Sequence, residues 1–221
     1  MGQVGADAVL PRAMRLPRLY PILDAGVLAV RGVGVEEFAG ALLDAGVTLL
    51  QYRDKDGTPA DVLRNAALIR GLLNGRECTL IMNDRADLAM LAGWDGVHVG
   101  QGDLLPEDAR RVVGAGRLIG VSTHTDEQVR LAEVSCADYV AVGPVFATGT
   151  KPDAEPVIGL EGVRRARALT TKPLVAIGGV TRANARSVID AGADSVAVIS
   201  ALLVEGEPVE KVARDFLELL R

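Results

Sequence analysis

The chain has 221 residues and a formal net charge of −5, and 49% of its residues are hydrophobic while only 3% are aromatic. This length suits a single α/β domain, and the acidic balance argues against nucleic acid as a partner. The sequence shows no signal-peptide core, no apolar run that could span a membrane and no metal-ligand spacing of its two cysteines. We therefore expect a cytoplasmic protein that binds small molecules, with assembly into a homo-oligomer left open.

Alternating apolar runs and amphipathic stretches predict eight strand–helix units in chain order. The strands are predicted at residues 19–23, 48–53, 78–82, 96–99, 117–121, 138–142, 173–177 and 195–199. The helices are predicted at residues 35–45, 59–73, 85–91, 106–113, 126–135, 160–169, 181–191 and 208–220. Eight units predict a closed (β/α)8 TIM barrel rather than an open doubly wound sheet, which usually has fewer strands. We place this barrel at residues 19–221, after a short N-terminal extension at residues 1–18.

The loop at residues 143–151, after the sixth predicted strand, has the composition of an anion site. Thr148 and Thr150 offer hydroxyl groups, Lys151 offers a cation, and Gly149 frees the backbone to bend. Hydroxyl donors, main-chain N–H groups and an ammonium are what a phosphate needs. The alternative is an ordinary solvated loop.

The end of the second predicted strand carries three polar residues at alternate positions. In an extended chain Gln51, Arg53 and Lys55 point to one side, and Tyr52 and Asp54 point to the other. Two cations aimed in one direction on an acidic protein indicate a diphosphate site. The alternative is a salt-bridged strand edge.

Two aspartates follow the next two predicted strands. Asn83 and Asp84 end the third, and Asp103 follows two glycines after the fourth. Each aspartate suits either a helix cap or a metal ligand. Together, beside the predicted cations, they indicate Mg²⁺, which binds a few carboxylates and completes its shell with phosphate oxygens.

Further polar residues fall at the ends of the remaining strands. Ser122 is a candidate hydrogen-bonding group, His124 suits either an acid–base or a structural role, and His98 is expected to be structural. Glycines at 178–179, together with the strand end at Ser200, indicate the phosphate site common in barrels. One diphosphate site and one monophosphate site suggest transfer of a group from a diphosphate ester to a phosphorylated acceptor.

Six motifs at successive strand ends together resemble the thiamine-phosphate synthase family, over residues 19–221. They are Gln51-Tyr-Arg-Asp-Lys55, Asn83-Asp84, Gly100-Gln-Gly-Asp103, Gly120-Val-Ser-Thr-His124, Gly143-Pro-Val-Phe-Ala-Thr-Gly-Thr-Lys151 and Ile177-Gly-Gly-Val180. The resemblance implies a (β/α)8 barrel that joins hydroxymethylpyrimidine diphosphate to a thiazole phosphate, releases pyrophosphate and uses Mg²⁺.

The resemblance also implies roles for individual residues. The pyrimidine diphosphate site would comprise Gln51, Tyr52, Arg53, Asp54, Lys55, Asn83, Ser122 and Lys151. The thiazole phosphate site would comprise Thr148, Gly149, Thr150, Gly179, Ile199 and Ser200. Asp84 and Asp103 would bind the metal, and Arg53, Lys55, Ser122 and Lys151 would carry catalysis. One departure is Asp54, where the family pattern has Glu.

The implied reaction loosens the C–O bond to diphosphate, and the thiazole nitrogen then attacks the pyrimidine cation. Cations around the leaving group would stabilise its charge, and no protein nucleophile is needed. One alternative is a thiazole tautomerase, a related barrel that would give His124 a catalytic role. Another is a non-catalytic phosphate-binding barrel.

Overall fold

The computed structural model describes residues 15–149 and 155–221, and within them eight parallel strands close into a barrel. The strands are β1 Leu19–Asp24, β2 Leu49–Arg53, β3 Thr79–Asn83, β4 Gly96–Val99, β5 Leu118–Thr123, β6 Tyr139–Val142, β7 Leu174–Ala176 and β8 Ser195–Val198. Each strand pairs with the next along the chain, and β8 pairs with β1. The predicted (β/α)8 barrel is thus confirmed.

Helices surround the barrel on its outer face. They are α1 Ala25–Arg31, α2 Val35–Asp44, α3 Pro59–Gly71, α4 Ala86–Leu91, α5 Pro106–Val113, α6 Asp126–Val134, α7 Gly159–Leu169, α8 Ala185–Asp190 and α9 Val209–Leu219, with a short 3-10 helix at Ser200–Leu202. Each of the eight predicted helices is present. Helix α8 begins at Ala185, four residues later than predicted, because residues 181–184 form a turn in which the Asn184 N–H donates to the Thr181 carbonyl.

Helix α1 is an addition that the sequence pattern did not predict. The side chain of Asp24 accepts a hydrogen bond from the Val27 N–H at 3.0 Å and caps its first turn. Gly32 ends it in the left-handed conformation, with φ of 65°. Leu28 is the buried residue of this helix, so there was no periodic apolar face to indicate it.

Two other helices begin as their sequences indicate. Thr58 and Asp61 form a reciprocal capping box at the start of α3, with Pro59 at the first helical position. Thr125 and Gln128 form the same arrangement at the start of α6. These caps satisfy main-chain N–H groups that have no partner within the helix.

The core has two layers because successive strand side chains point to opposite faces. The outer layer, between strands and helices, is mainly aliphatic and includes Leu50, Val97 and Val140. The inner layer fills the barrel axis with Tyr20, Leu49, Ile81, Tyr139, Ala141, Val175 and Ala197. The two tyrosines place hydroxyl groups inside an otherwise apolar interior.

The N-terminal extension was predicted to end at residue 18. Residues 1–14 lie outside the described residues, so the division at residue 18 stays a prediction. Leu16 packs against the inner layer.

Cys78 and Cys136 are half-buried free thiols, and burial raises the pKa of Cys78 to about 12. Among the helices of the described ranges, none has the length and apolarity needed to cross a bilayer.

Candidate functional site

A cavity of about 630 Å³ opens at the carboxyl ends of the strands, the end at which barrel enzymes carry their active sites. Its volume suits a small-molecule ligand. The predicted site residues that line it are Gln51, Arg53, Lys55, Asn83, Asp84, Asp103, Ser122, Thr148, Gly149, Gly179, Ile199 and Ser200. Thr150 and Lys151 lie outside the described residues. The structure therefore brings the twelve predicted residues named above, drawn from both predicted anion sites and the metal pair, into one cavity.

The polar stripe of β2, formed by Gln51, Arg53 and Lys55, runs from the cavity floor to its rim. Gln51 is buried, the Arg53 side chain is 16% exposed and that of Lys55 is 50% exposed. Arg53 forms an ion pair with the buried Asp24, and Lys55 forms one with Asp84. Both predicted cations thus point at the cavity, and each already has a carboxylate partner.

Tyr52 and Asp54 lie on the opposite side of β2, away from the described lining of the cavity. The ring of Tyr52 packs edge-on against Trp94 in the outer layer. Its hydroxyl donates to Asp54 at 3.0 Å, and Asp54 also accepts the Gly57 N–H at 2.8 Å. Asp54 therefore orders the loop that leads to α3, and a shorter carboxylate than Glu suits this local contact.

The metal-ligand candidates Asp84 and Asp103 approach each other at the ends of β3 and β4. Burial raises the pKa of Asp84, the ammonium of Lys55 opposes this shift, and the neighbouring Asp103 adds to it. Asp84 has a φ of 60°, and the helix that follows begins without a side-chain cap. The sequence left two roles open for Asp84, a helix cap or a metal ligand, and the structure excludes the helix cap.

The chemistry of this pair fits Mg²⁺. Two carboxylates with converging oxygens form a hard oxygen donor set beside a cavity. Within the described ranges, no group of three or more His, Cys, Asp or Glu side chains could hold a metal. The pair therefore fits an ion that takes its remaining ligands from water and phosphate oxygens.

The turn after β7 and the 3-10 helix after β8 form the opposite wall. Gly179 has a φ of 67°, and a Cβ there would lie 2.6 Å from the Ala147 carbonyl oxygen. Asn184 holds the turn by donating to the Gly179 carbonyl at 3.1 Å and accepting from the Thr181 N–H at 2.8 Å. Ser200 opens the 3-10 helix, whose first N–H groups suit an anion.

The loop after β6 is anchored to that same turn. The Val145 N–H donates to the Ile177 carbonyl at 2.8 Å, and the Phe146 N–H donates to the Gly178 carbonyl at 3.1 Å. These bonds set the start of the segment that carries Thr148 and Gly149 to the cavity. Glycine is required at Gly179 by this close packing of two loops and by its positive φ.

Three further residues line the cavity that were not predicted to belong to a binding site. His98 was expected to be structural only, yet it lines the cavity and its Nε2 lies 2.8 Å from the Ser122 hydroxyl. Gln101 also lines it and donates to the Ser122 carbonyl at 2.6 Å. Arg31 lines it from α1, the helix that the sequence did not indicate. The position of His98 two residues before Gly100, in the strand that leads to Asp103, was the available signal.

His124 lines the cavity wall, and its Nδ1 lies 2.6 Å from the Gly143 carbonyl oxygen. A carbonyl oxygen can only accept, so Nδ1 carries the proton and donates it. In a neutral ring Nε2 would then carry the lone pair.

Comparisons with known proteins point to one family. A sequence model described as thiamine monophosphate synthase matches residues 19–202. The thiamine-phosphate synthase of Koribacter versatilis is 52% identical over 209 residues, covering 94% of this chain and 97% of that protein. The thiamine-phosphate synthase of Chloroflexus aurantiacus is 42% identical, covering 92% of each chain. The structure of thiamine phosphate pyrophosphorylase from Pyrococcus furiosus superposes with a TM-score of 0.81 at 33% identity, covering 92% of this chain and 95% of that one.

Proposed function

Because this chain belongs to the thiamine monophosphate synthase family, we propose that it joins an aminopyrimidine methyl diphosphate to a thiazole phosphate, forming thiamine phosphate and pyrophosphate. Membership of this family shows that the protein is a transferase of thiamine biosynthesis. The proposal of these particular substrates rests on one cavity, which has cations and paired carboxylates on one wall and a glycine turn with a 3-10 helix on the other.

The pyrimidine diphosphate binds at the wall formed by β2 and β3. Gln51 and Ser122 are buried at the floor, where they suit the polar edge of a heteroaromatic ring. Arg53 and Lys55 stand above them toward the rim, where they suit the diphosphate. Asn83 lines the cavity. Lys151 lies outside the described residues, and the resemblance alone assigns it to this site.

Asp84 and Asp103 would hold a magnesium ion. When bound, the ion neutralises negative charge on the diphosphate and makes it a better leaving group. Lys55 pairs with Asp84 in the structure, and its ammonium would turn to the diphosphate oxygens if that carboxylate bound the ion. Lys55 is half exposed, which leaves it room to turn.

The thiazole phosphate binds at the opposite wall. The Gly179 turn and the start of the 3-10 helix at Ser200 supply main-chain N–H groups, and Ile199 lines the cavity between them. Thr148 and Gly149 line this site from the loop after β6. Thr150 lies outside the described residues and is assigned to the site by the resemblance alone. The thiazole nitrogen is thereby directed toward the pyrimidine.

The chain's own residues then act by position and charge. Arg53, Lys55 and Lys151 stabilise the charge that develops on the leaving diphosphate as the C–O bond loosens. The floor holds the pyrimidine ring in place while the thiazole nitrogen attacks its methylene carbon. The nitrogen has no proton to lose, so the reaction needs neither a protein nucleophile nor a base.

Release of pyrophosphate on mixing both substrates with Mg²⁺ tests this proposal. We expect release only when both substrates are present, together with thiamine phosphate in equal amount. Isomerisation of the thiazole substrate without pyrophosphate release would instead support the tautomerase alternative. Binding of both substrates without turnover would support a non-catalytic barrel.

A further inference from the structure

Five polar side chains form a continuous hydrogen-bonded chain across the interior of the barrel. Gln51 Nε2 donates to the Tyr20 hydroxyl at 2.9 Å, and the Tyr20 and Tyr139 hydroxyls are 2.8 Å apart. The Tyr139 hydroxyl lies 3.1 Å from His98 Nδ1, and His98 Nε2 lies 2.8 Å from the Ser122 hydroxyl. We call these five residues the interior chain; its two ends, Gln51 and Ser122, both line the cavity.

The barrel is shaped to hold this chain. Gly120 pairs with His98 on one side and with Tyr139 on the other, and a Cβ at Gly120 would lie 2.0 Å from the Tyr139 ring. The rings of His98 and Tyr139 stack with centroids 5.6 Å apart. An alanine at position 120 would displace the tyrosine, so the glycine admits a ring whose hydroxyl bridges two neighbours.

The two phenols of the interior chain remain protonated. Burial raises the pKa of Tyr20 and that of Tyr139 well above the ordinary value. Each hydroxyl therefore has one proton to donate, and it accepts from its other neighbour in the chain. Because each hydroxyl donates to one neighbour and accepts from the other, the hydrogen bonds of the interior chain all run in one direction.

The direction follows from the amide of Gln51. Since Nε2 donates to Tyr20, the Tyr20 proton goes to Tyr139, and the Tyr139 proton goes to Nδ1 of His98. Nε2 of His98 then carries the ring proton and donates it to the Ser122 oxygen. The Ser122 proton is left for the cavity, and so are the Oε1 acceptor and the second N–H of Gln51.

Rotation of the Gln51 amide by a half-turn would reverse every bond. Gln51 would then offer N–H donors to the cavity, and Ser122 would offer only lone pairs because its proton would go to His98. A mixture of the two directions would place two protons, or two lone pairs, face to face in a fully buried site. The two ends therefore change together.

We propose that Tyr20, Tyr139 and His98 are positioning residues that fix Ser122 as a donor and Gln51 as an acceptor at the cavity floor. The floor then selects a heteroaromatic ring that offers an amine donor toward Gln51 and a ring-nitrogen acceptor toward Ser122. This inference rests on the proposed function, in which the first substrate is an aminopyrimidine. A 4-oxopyrimidine reverses this pattern, since it has an oxygen acceptor beside a ring N–H donor.

The tautomer of His98 tests the direction without any substrate. The sequence has two histidines, and His124→Gln assigns their nitrogen NMR signals. At a pH where both rings are neutral, we expect protonated Nε2 at His98 and protonated Nδ1 at His124, so the two rings should differ. Protonated Nδ1 at His98 would overturn the proposal.

Phenylalanine variants test the positioning role. Tyr139→Phe and Tyr20→Phe each remove one hydroxyl and keep the ring, which interrupts the interior chain. We expect the wild type to bind a non-reactive 4-aminopyrimidine analogue more tightly than its 4-oxo counterpart, and each variant to lower that ratio by about tenfold. Affinity for the thiazole phosphate should not change.

Thr123→Val is the matched control. Thr123 is fully buried on β5 beside Ser122, and its hydroxyl donates to the Ala141 carbonyl at 2.9 Å, outside the interior chain. This variant should lower stability while the amino-to-oxo ratio stays at the wild-type value. An equal loss of the ratio in Thr123→Val, or an unchanged ratio in both phenylalanine variants, would overturn the positioning role.

Two further points keep the test decisive. If Tyr139→Phe does not fold, Tyr20→Phe and the tautomer in the unaltered protein still decide the outcome. Failure of the proposed function would appear as a wild-type protein that forms no product. The tautomer and the binding ratio are measured without turnover, so they decide this inference separately.

Discussion

Lys55 and Asp84 form an ion pair across the mouth of the barrel, between the segment after β2 and the end of β3. The carboxylate is mostly buried, whereas the ammonium is half exposed. The same carboxylate is a candidate magnesium ligand, and the same ammonium is a candidate diphosphate ligand. The two candidate ligands therefore neutralise each other's charge in this structure.

The first prediction concerns the metal. Asp84→Ala and Asp103→Ala should each lower the rate of pyrophosphate release by about 100-fold or more, because the ion loses one of two protein ligands. The rate is measured as a function of Mg²⁺ concentration. Asp56→Ala is the control, since Asp56 is an exposed carboxylate near this wall that does not line the cavity. Unchanged rates in both site variants with EDTA present would refute the metal assignment.

The second prediction concerns Lys55. Lys55→Met should remove one charge-assisted contact to the diphosphate, worth roughly 1.5–3 kcal/mol, and slow turnover by about tenfold or more. The loss should appear mainly in kcat, since the contact strengthens as charge moves onto the leaving group. Steady-state kinetics with both substrates measure it. A rise in KM with kcat unchanged would instead mean that Lys55 only helps to bind the ground state.

The third prediction concerns His124. His124→Gln should retain formation of the C–N bond within about threefold, because the proposed reaction needs no general base. The measurement is the rate of thiamine phosphate formation by a variant whose circular dichroism matches the wild type. Complete loss of turnover with both substrates still bound would restore the catalytic role that the tautomerase alternative gives this ring.

The fourth prediction separates the two walls. Gly179→Ala should lower the free energy of unfolding by about 1–3 kcal/mol and weaken binding of the thiazole phosphate. Its φ is positive, and the new Cβ would meet Phe146 and Ala147 at the base of the loop after β6. Calorimetric titration with each substrate alone is the measurement.

Gly206→Ala is the control for Gly179→Ala. Gly206 has a φ of 77° and no atom within 4 Å of an added Cβ, so it carries the backbone strain without the collision. This variant should lose stability and keep its affinity for the thiazole phosphate. If Gly179→Ala weakens a non-reactive pyrimidine diphosphate analogue as much as it weakens the thiazole phosphate, the two-wall assignment is wrong.

The fifth prediction concerns acid stability. Hydrogen bonds from Arg182 and Lys211 lower the pKa of Glu207 to about 2, from an ordinary value of 4.5. A lowered pKa in the folded state gives stability that is present above the ordinary value and lost as the pH falls toward 2. Arg182→Gln should therefore flatten the fall in the free energy of unfolding between pH 4.5 and 2. Urea unfolding across this range, at low and high salt, measures it; an unaltered slope would show that this half-buried pair contributes nothing.

Strand ends were predictable from the sequence because polar residues interrupt apolar runs there. Gln51, Arg53 and Lys55 were identified by their alternation, which the barrel preserves. What the sequence could not provide were the carboxylate partners of these cations, since Asp24 lies on another strand. The place of His98 at the cavity floor could not be predicted for the same reason: its neighbours Tyr139 and Ser122 are distant in sequence and meet it only when the barrel closes.

Asp24 uses its two carboxylate oxygens for different tasks: Oδ1 caps α1, and Oδ2 pairs with Arg53. Helix α1 ends at Arg31, which also lines the cavity. The Asp24 side chain therefore connects helix α1, which carries Arg31, to the guanidinium of Arg53. Asparagine would keep the cap and lose the charge, whereas alanine would lose both, so residue 24 is where the charge of this mouth can be changed without its shape.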